Sequence, residues 1–264
     1  MSEEFFLVLP SNASPILYPD NKVSAYTVLL PHPIDLGSNW LVTLSEISYT
    51  KSWFNVQESK IGMLYVDGIG DEVVDHTYQL TLPGGYYHSP EDFVKTINRK
   101  MKEWESNDGV TSAPEYVVED RKIKIRLTLE GVTAEGEAKL PSWDTKRKFT
   151  ASFEPQIEEV LGIANLPAQR PIHLNQGWGN LYVYSDIVEE SIVGDITAPL
   201  LRVIGTDTQA PFGTQITVSF DDEQYRRVSR HSFQEISIYL ANDQGKRPHF
   251  HFGRVTVTLK FKRA

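Results

Sequence analysis

The end of the chain leaves little freedom of fold. Val255, Val257, Leu259 and Phe261 are apolar, and Thr256, Thr258, Lys260 and Lys262 between them are polar. A strand sends successive side chains to opposite faces, so this pattern makes one buried face and one wet face and fits no helix. The same period recurs in Ile123, Ile125, Leu127 and Leu129, set against Lys124, Arg126 and Thr128. It recurs again in Phe149, Ala151 and Phe153, in Ile216, Val218 and Phe220, and in Ile236, Ile238 and Leu240. Residues 5–9, 26–30, 40–49, 61–66 and 76–82 read as further strands bounded by Pro, Gly, Asn and Asp. Residues 181–184 are apolar on both faces. That suits a central strand whose outer face meets another subunit or a covering loop.

Helical period is clear at one place. Ser89 is placed to cap, Pro90 suits the first helical position, and Asp92 completes a capping-box-like pattern. Phe93, Ile97, Met101 and Trp104 then share a face, and Asn107-Asp108-Gly109 ends the run. A short second helix is expected at 155–161, stopped by Gly162. Near the C-terminus the apolar positions change from even (Phe250, Phe252) to odd (Val255 onward). A β-bulge at Gly253 accounts for the slip and leaves His249 and His251 on the face opposite the two Phe residues. Many strands, one strong helix and no strand–helix alternation predict an all-β sandwich. One domain over 1–264 is the simplest division, with a helix-containing insertion at about 84–110 and a polar loop at about 131–145.

Composition narrows the function. Cysteine is absent, so disulfides, thiolate metal sites and a cysteine nucleophile are excluded. That fits an intracellular life. With 40% hydrophobic residues, the chain can bury a core without staples. A net charge of −9 does not favour broad adhesion to nucleic acid, although Lys146, Arg147 and Lys148, and Lys260, Lys262 and Arg263, form local basic clusters. Neither a secretory leader nor an apolar run of transmembrane length is expected.

Candidate chemistry is sparse. Gly84-Gly85 lies between a strand and a helix but lacks the rest of a phosphate-binding fingerprint, and reads as a turn. His249 and His251, with His231 and Asp243, are weak metal-ligand candidates of the cupin kind, with exposed or interface histidines as the plain reading. Asp67, Asp71 and Asp75, and Asp221, Asp222 and Glu223, suit solvated turns better than calcium sites. Glu158 and Glu159 are adjacent and do not share a helix face. No catalytic residue and no cofactor are assigned.

The order and spacing of several segments carry a resemblance. They are Leu82-Pro83-Gly84-Gly85-Tyr86-Tyr87 leading into Ser89-Pro90-Glu91-Asp92-Phe93, then Leu161-Gly162-Ile163, then Leu181-Tyr182-Val183-Tyr184-Ser185-Asp186-Ile187-Val188. Val193-Gly194-Asp195, Pro199-Leu200-Leu201-Arg202-Val203-Ile204 and the closing strands from Ile236 through Phe261 follow. Together they resemble the penton, or minor capsid, protein of Polinton (Maverick) elements and adintovirus-like viruses. Residues before Leu82 match only in general strand pattern.

The resemblance implies a single jelly-roll β-sandwich of two four-stranded antiparallel sheets, with one inserted or flanking α-helix. It implies a transposable-element or viral capsid component: a homopentamer at the vertices of an icosahedral virion, beside a double-jelly-roll major capsid protein. Assembly would occur inside the host cell, in nucleus or cytoplasm, with no membrane span and no specific nucleic acid as partner. It brings no catalytic residues. A ring contact needs an aromatic, partly apolar flank. Trp178, Tyr182 and Tyr184, ahead of the acidic Asp186, Glu189 and Glu190, are the interface candidates, with Arg226, Arg227 and Arg230 as possible partners for a neighbour's acids. The rival readings are a soluble sandwich presenting Trp143 or Trp53 to a carbohydrate or protein ligand, and a cupin-like metal enzyme.

Overall fold

The computed structural model describes residues 4–69, 72–108, 115–120, 122–129, 132–137, 147–163, 171–175 and 177–264. The chain divides into two compact units, Met1–Trp53 with Gly177–Ala264, and the continuous stretch Phe54–Gln176. The first unit opens with β1 (Glu4–Pro10), β2 (Ala25–Asp35) and β3 (Trp40–Thr50). The second holds β4 (Ser59–Ile69), β5 (Glu72–Leu82), α1 (Pro90–Asp108), β6 (Glu115–Glu119), β7 (Lys122–Leu129), β8 (Val132–Glu137), β9 (Arg147–Phe153) and α2 (Pro155–Leu161). The chain then returns to the first unit with β10 (Asn180–Ser185), β11 (Ser191–Val193), β12 (Ile196–Ala198), β13 (Leu200–Gly205), β14 (Gln215–Ser219), β15 (Arg226–Arg227), β16 (Ser232–Asn242) and β17 (Val255–Arg263).

The first unit is a long hairpin rolled on itself. Its outermost arms pair first: Phe5 lies opposite Phe261 and Leu9 opposite Val257. Next inward, β2 pairs β16, β3 pairs β14, and β10 pairs β13. Rolling then joins β17 to β3 and β10 to β16. The result is one sheet in the order β1-β17-β3-β14 and another in the order β13-β10-β16-β2, all antiparallel. The winding is compatible with a jelly-roll-like sandwich. The first sheet has five strands rather than four, because the two-residue β15 also pairs β3, at Val42 and Leu41.

Alternation explains the core. Leu9, Val42, Leu44 and Ile47 from one sheet and Leu181, Val183, Ile236, Ile238 and Leu240 from the other point into one shared cluster with Val255, Val257, Leu259 and Phe261. Each such side chain contributes about 1.5–3 kcal/mol by leaving water. The rings of Phe5 and Phe261 stack at 4.8 Å, and Phe233 lies 6.0 Å from Phe261 across the gap. Lys51 is buried too. Its ammonium donates to the carbonyls of Asp207, Thr208 and Ala210 at 2.9, 3.0 and 2.6 Å, pinning the link after β13.

The second unit packs around its helix. Phe93, Ile97, Met101 and Trp104 are buried as the helical period predicts, with Ile61, Leu82, Tyr116 and Phe153. The Asp92 N–H donates to Ser89 Oγ at 3.2 Å, as expected of the cap. Asn98 acts as a strand partner for β6: it accepts from the Tyr116 N–H and donates to its carbonyl, both at 2.7 Å. The α2 helix ends where expected. Gly162 takes the left-handed conformation (φ 75°), and the N–H groups of Gly162 and Ile163 return to the Glu159 and Glu158 carbonyls.

Other expectations change. Of the stretch 131–145, residues 132–137 form β8, tied to β7 by the tight pair Leu129–Val132; residues 131 and 138–145 lie outside the described residues. Gly253 is not a bulge within a strand, since 248–254 is irregular and β17 starts at Val255. Gly253 has φ 85°, and a Cβ there would collide with the Thr50 side chain. The parity change thus marks a loop pulled against Thr50 and Ser52, whose Oγ donates to the Phe252 carbonyl at 2.6 Å.

Candidate functional site

The segment singled out by the sequence splits between the inside and the outside of the sandwich. Trp178 packs against the shared core, stacked on Trp53 at 5.1 Å, and its carbonyl accepts from the Thr206 hydroxyl. Beyond it, β10 alternates. Leu181 and Val183 enter the core, while Tyr182 and Tyr184 join a separate cluster on the outer face with Tyr239, Leu200 and Ala241. Tyr184 stacks on Tyr239 at 4.6 Å with the rings 6° from parallel, and on Tyr182 at 6.4 Å. Burial, then the neighbouring phenol of the stack, raises the pKa of both Tyr184 and Tyr239. The β11–β12 hairpin covers this cluster with Ala198 and Val193, so Tyr184 is buried and Tyr182 half-buried.

Asp186 is used within the chain. One carboxylate oxygen accepts from the Ser237 N–H at 2.9 Å and the other from Arg230 at 2.7 Å. Both charged groups are roughly two-fifths exposed, so the pair contributes at most about 1 kcal/mol. Glu189, Glu190 and Arg227 are exposed. Arg226 is half-buried on β15, and its Nε has no hydrogen-bond partner among the described residues. The structure thus joins Asp186 to Arg230 and Tyr182 to Tyr184, and turns Trp178 into the core.

The metal candidates do not converge. His249 and His251 lie edge to face at 4.8 Å in the 248–254 loop, both exposed; partial burial and then His249 lower the His251 pKa. His231 is exposed beside Leu36, whose N–H donates to its carbonyl. Asp243 accepts from the backbone N–H groups of Gly179 and Asn180 at 2.7 and 3.0 Å. Among the described residues no group of three or more His, Asp and Glu is placed to hold an ion. Asp67 and Asp75 fall within β4 and β5, and Asp71 lies outside the described residues.

The 221–223 acids are matched internally. Asp222 faces Arg202, whose guanidinium lies 3.9 Å above the Phe220 ring. Glu223 takes Lys260 at 2.7 Å, which holds its carboxyl below the usual range. Lys262 sits over the Tyr225 ring at 3.7 Å, so two members of the C-terminal basic cluster are already engaged. Of the other basic cluster, Arg147 and Lys148 fall in β9, and Lys146 lies outside the described residues. Where the sequence suggested a turn, Gly85 exchanges both backbone hydrogen bonds with the distant Val56 as an isolated antiparallel bridge. Trp53, offered as a loop aromatic, is buried in the core, and Trp143 lies outside the described residues.

Sequence reasoning passed over two exposed apolar groups, Ile192 and Ile196 on the β11–β12 hairpin, and Phe6 and Val8 on β1. The signal was present. Ile192 and Ile196 straddle the Gly194-Asp195 turn, and residues 5–9 are apolar at every position, although only one parity can face a core.

These features define a largely antiparallel β protein, with two sheets wound around one core and a second unit inserted between β3 and β10. No family model and no curated protein matches the sequence. Among solved structures, the chain is similar in fold to the penton protein of mavirus, seen in a crystal structure of the selenomethionine-labelled protein. The TM-score is 0.53, with 10% identity over 99% of this chain and 100% of that one. No helix among the described residues is long and apolar enough to cross a membrane.

Proposed function

We propose that this chain is a non-enzymatic structural capsid protein, a penton that forms five-fold vertices of an icosahedral virion. The carrying observation is the strand order. Counting the eight long strands of the first unit in sequence, the sheets read 1-8-3-6 and 5-4-7-2. That order supports reading the unit as the rolled hairpin of a single jelly roll, an architecture used by capsid and lectin domains. The likeness in fold to the mavirus penton protein extends over the whole chain and supports the same reading. On this reading β15 is a small addition to a four-stranded sheet, and the stretch between Trp53 and Gly177 is an insertion into the jelly roll. The insertion includes the helix-containing part at about 84–110 and the polar part at about 131–145. The distant kinship includes the Polinton pentons resembled in sequence. The partners are four further copies and a double-jelly-roll major capsid protein, and the working location is the virion, reached by assembly inside the host cell.

A closed ring repeats one contact around an axis. Light scattering behind a sizing column is expected to give about five times 30.0 kDa, with five-fold rings by negative stain of the same peak. A protein that stays at one chain mass across concentration and pH would sink the proposal.

A further inference from the structure

The link from β16 to β17 contains the run Lys246-Arg247-Pro248-His249-Phe250-His251-Phe252-Gly253-Arg254. It holds three cations and two histidines and no acid, in a chain whose net charge is −9. Lys246, Arg247, His249, His251 and Arg254 are all exposed, and Pro248 is buried. β16 belongs to one sheet and β17 to the other, so the run crosses one end of the sandwich.

A basic run is commonly a solvated turn, but two observations set this one apart. First, its cations are not used within the chain. Elsewhere in the first unit Arg202 faces Asp222, Arg230 binds Asp186, Lys260 takes Glu4 and Glu223, and Lys262 covers the Tyr225 ring. Lys246, Arg247 and Arg254 form no ion pair and no side-chain hydrogen bond among the described residues. Asp243, the acid just ahead of the run, is committed to Gly179 and Asn180. Second, the run is held in place and presents a ring. Phe250 turns inward and meets Trp53 edge-on at 5.4 Å. The Ser52 carbonyl accepts from the His251 N–H at 3.1 Å, and the Ser52 hydroxyl donates to the Phe252 carbonyl at 2.6 Å. Phe252 is left 49% exposed, its ring braced edge-on by Phe212 at 5.5 Å.

Unpaired cations attract phosphates, and every base offers a flat face to an aromatic ring. A duplex keeps those faces inside its stack, whereas a single strand can present them. We propose that this strip binds single-stranded nucleic acid without sequence preference. Lys246, Arg247 and Arg254 neutralise phosphates, and a base stacks on the Phe252 ring. A loop already held by Ser52 and Trp53 loses little freedom on binding. The acidic net charge disfavours adhesion elsewhere on the surface, so the contact is local. One chain carries the whole strip, so this inference stands apart from the ring reading.

Fluorescence anisotropy of the full chain with a labelled oligo(dT) tests it. The matching duplex, a heparin fragment and vesicles of anionic phospholipid serve as competitors. The single strand is expected to bind most tightly. Its log affinity is expected to fall against log salt with a slope of about −2, at about −0.7 for each of the phosphates met by the three cations. Lys246→Gln with Arg247→Gln and Arg254→Gln is expected to weaken binding about tenfold or more and to flatten that slope. Phe252→Ala is expected to weaken the single strand about five-fold or more, with Phe252→Leu as the gentler variant. Lys22→Gln with Arg227→Gln removes two exposed cations elsewhere and is expected to leave binding unchanged. All these side chains are exposed, so circular dichroism and the melting transition are expected to match the parent. No binding, equal binding by the triple variant and the parent, or tighter binding of duplex, heparin or vesicles would overturn the proposal. Each of those results leaves the mass by light scattering, and with it the ring reading, untouched.

Discussion

In the first unit Phe5 lies opposite Phe261 and Tyr26 opposite Ile238, whereas in the second Ile69 lies opposite Glu72 and Leu129 opposite Val132. The sandwich closes by contacts between distant parts of the chain, and the inserted unit largely by contacts between neighbours. Distant pairing loses chain entropy before any burial rewards it, so it forms late and depends on every arm of the roll. The inserted unit has its own helix, hairpin and meander, and one distant pairing, with Ile61 of β4 opposite Phe153 of β9. The sequence sharpens the contrast, since β1 and β17, the outermost arms, carry many of the side chains that fill the sandwich core.

The largest expected effect tests whether the units fail separately. Phe261→Ala removes a fully buried ring stacked on Phe5, and is expected to destabilise the sandwich by about 3–5 kcal/mol. Ile97→Ala, equally buried on the inner face of α1, is expected to cost about 2–5 kcal/mol in the inserted unit. Urea unfolding should show each substitution moving one transition and sparing the other; a single shared shift would break the comparison. Next in size, Lys51→Met leaves the carbonyls of Asp207, Thr208 and Ala210 without their ammonium. It is expected to cost about 1.5–3 kcal/mol in the sandwich transition alone.

The smallest effects concern buried phenols. Tyr26→Phe removes the donor to the Leu9 carbonyl and is expected to cost about 1 kcal/mol. Tyr49→Phe is expected to be neutral or slightly stabilising, because the Tyr49 hydroxyl is buried without a partner among the described residues. Burial, then Asp207, pushes the Tyr49 hydroxyl up to about 12 from its ordinary 10.0, and burial raises Tyr26 further. Folding therefore holds protons that the unfolded chain releases. This stabilisation is complete below pH 10.0 and is lost as pH rises toward 12. Tyr116 in the inserted unit is raised by burial in the same direction. Thermal melts across this window should fall more steeply for the sandwich, where Tyr26, Tyr49, Tyr184 and Tyr239 are all raised, and Tyr26→Phe with Tyr49→Phe should reduce that slope.

Much of the fold was legible because period two and period 3.6 are local signals. The strand at 255–263 and the helix face of Phe93, Ile97, Met101 and Trp104 stand where the pattern put them. What could not be read locally was closure: no residue near Leu7 announces that it will lie opposite Leu259. The two-residue β15 escaped because two residues carry no period. At the candidate site, the aromatic run from Trp178 to Tyr184 showed that something is packed there, but not which face each ring takes. Alternation would have turned Tyr182 and Tyr184 outward together, as the structure does. Trp178 lies before the strand, where parity gives no guidance, and it turns inward. The parity change at Gly253 was a true signal with the wrong cause, because a left-handed glycine in a loop shifts the count as well as a bulge does.

Trp53 and Trp178 have a consequence of another kind. They sit where the sandwich chain breaks off and resumes, and their stacking at 5.1 Å holds those two points side by side. Closing a flexible loop becomes only about 0.6 kcal/mol harder with each doubling of its length. A framework whose severed ends are already clasped is therefore largely indifferent to what is spliced between them. For an engineer this junction is a display port where an antigen or a reporter enzyme can replace the native insert. For an evolving lineage it is a place where whole modules can be exchanged while the surrounding architecture is kept.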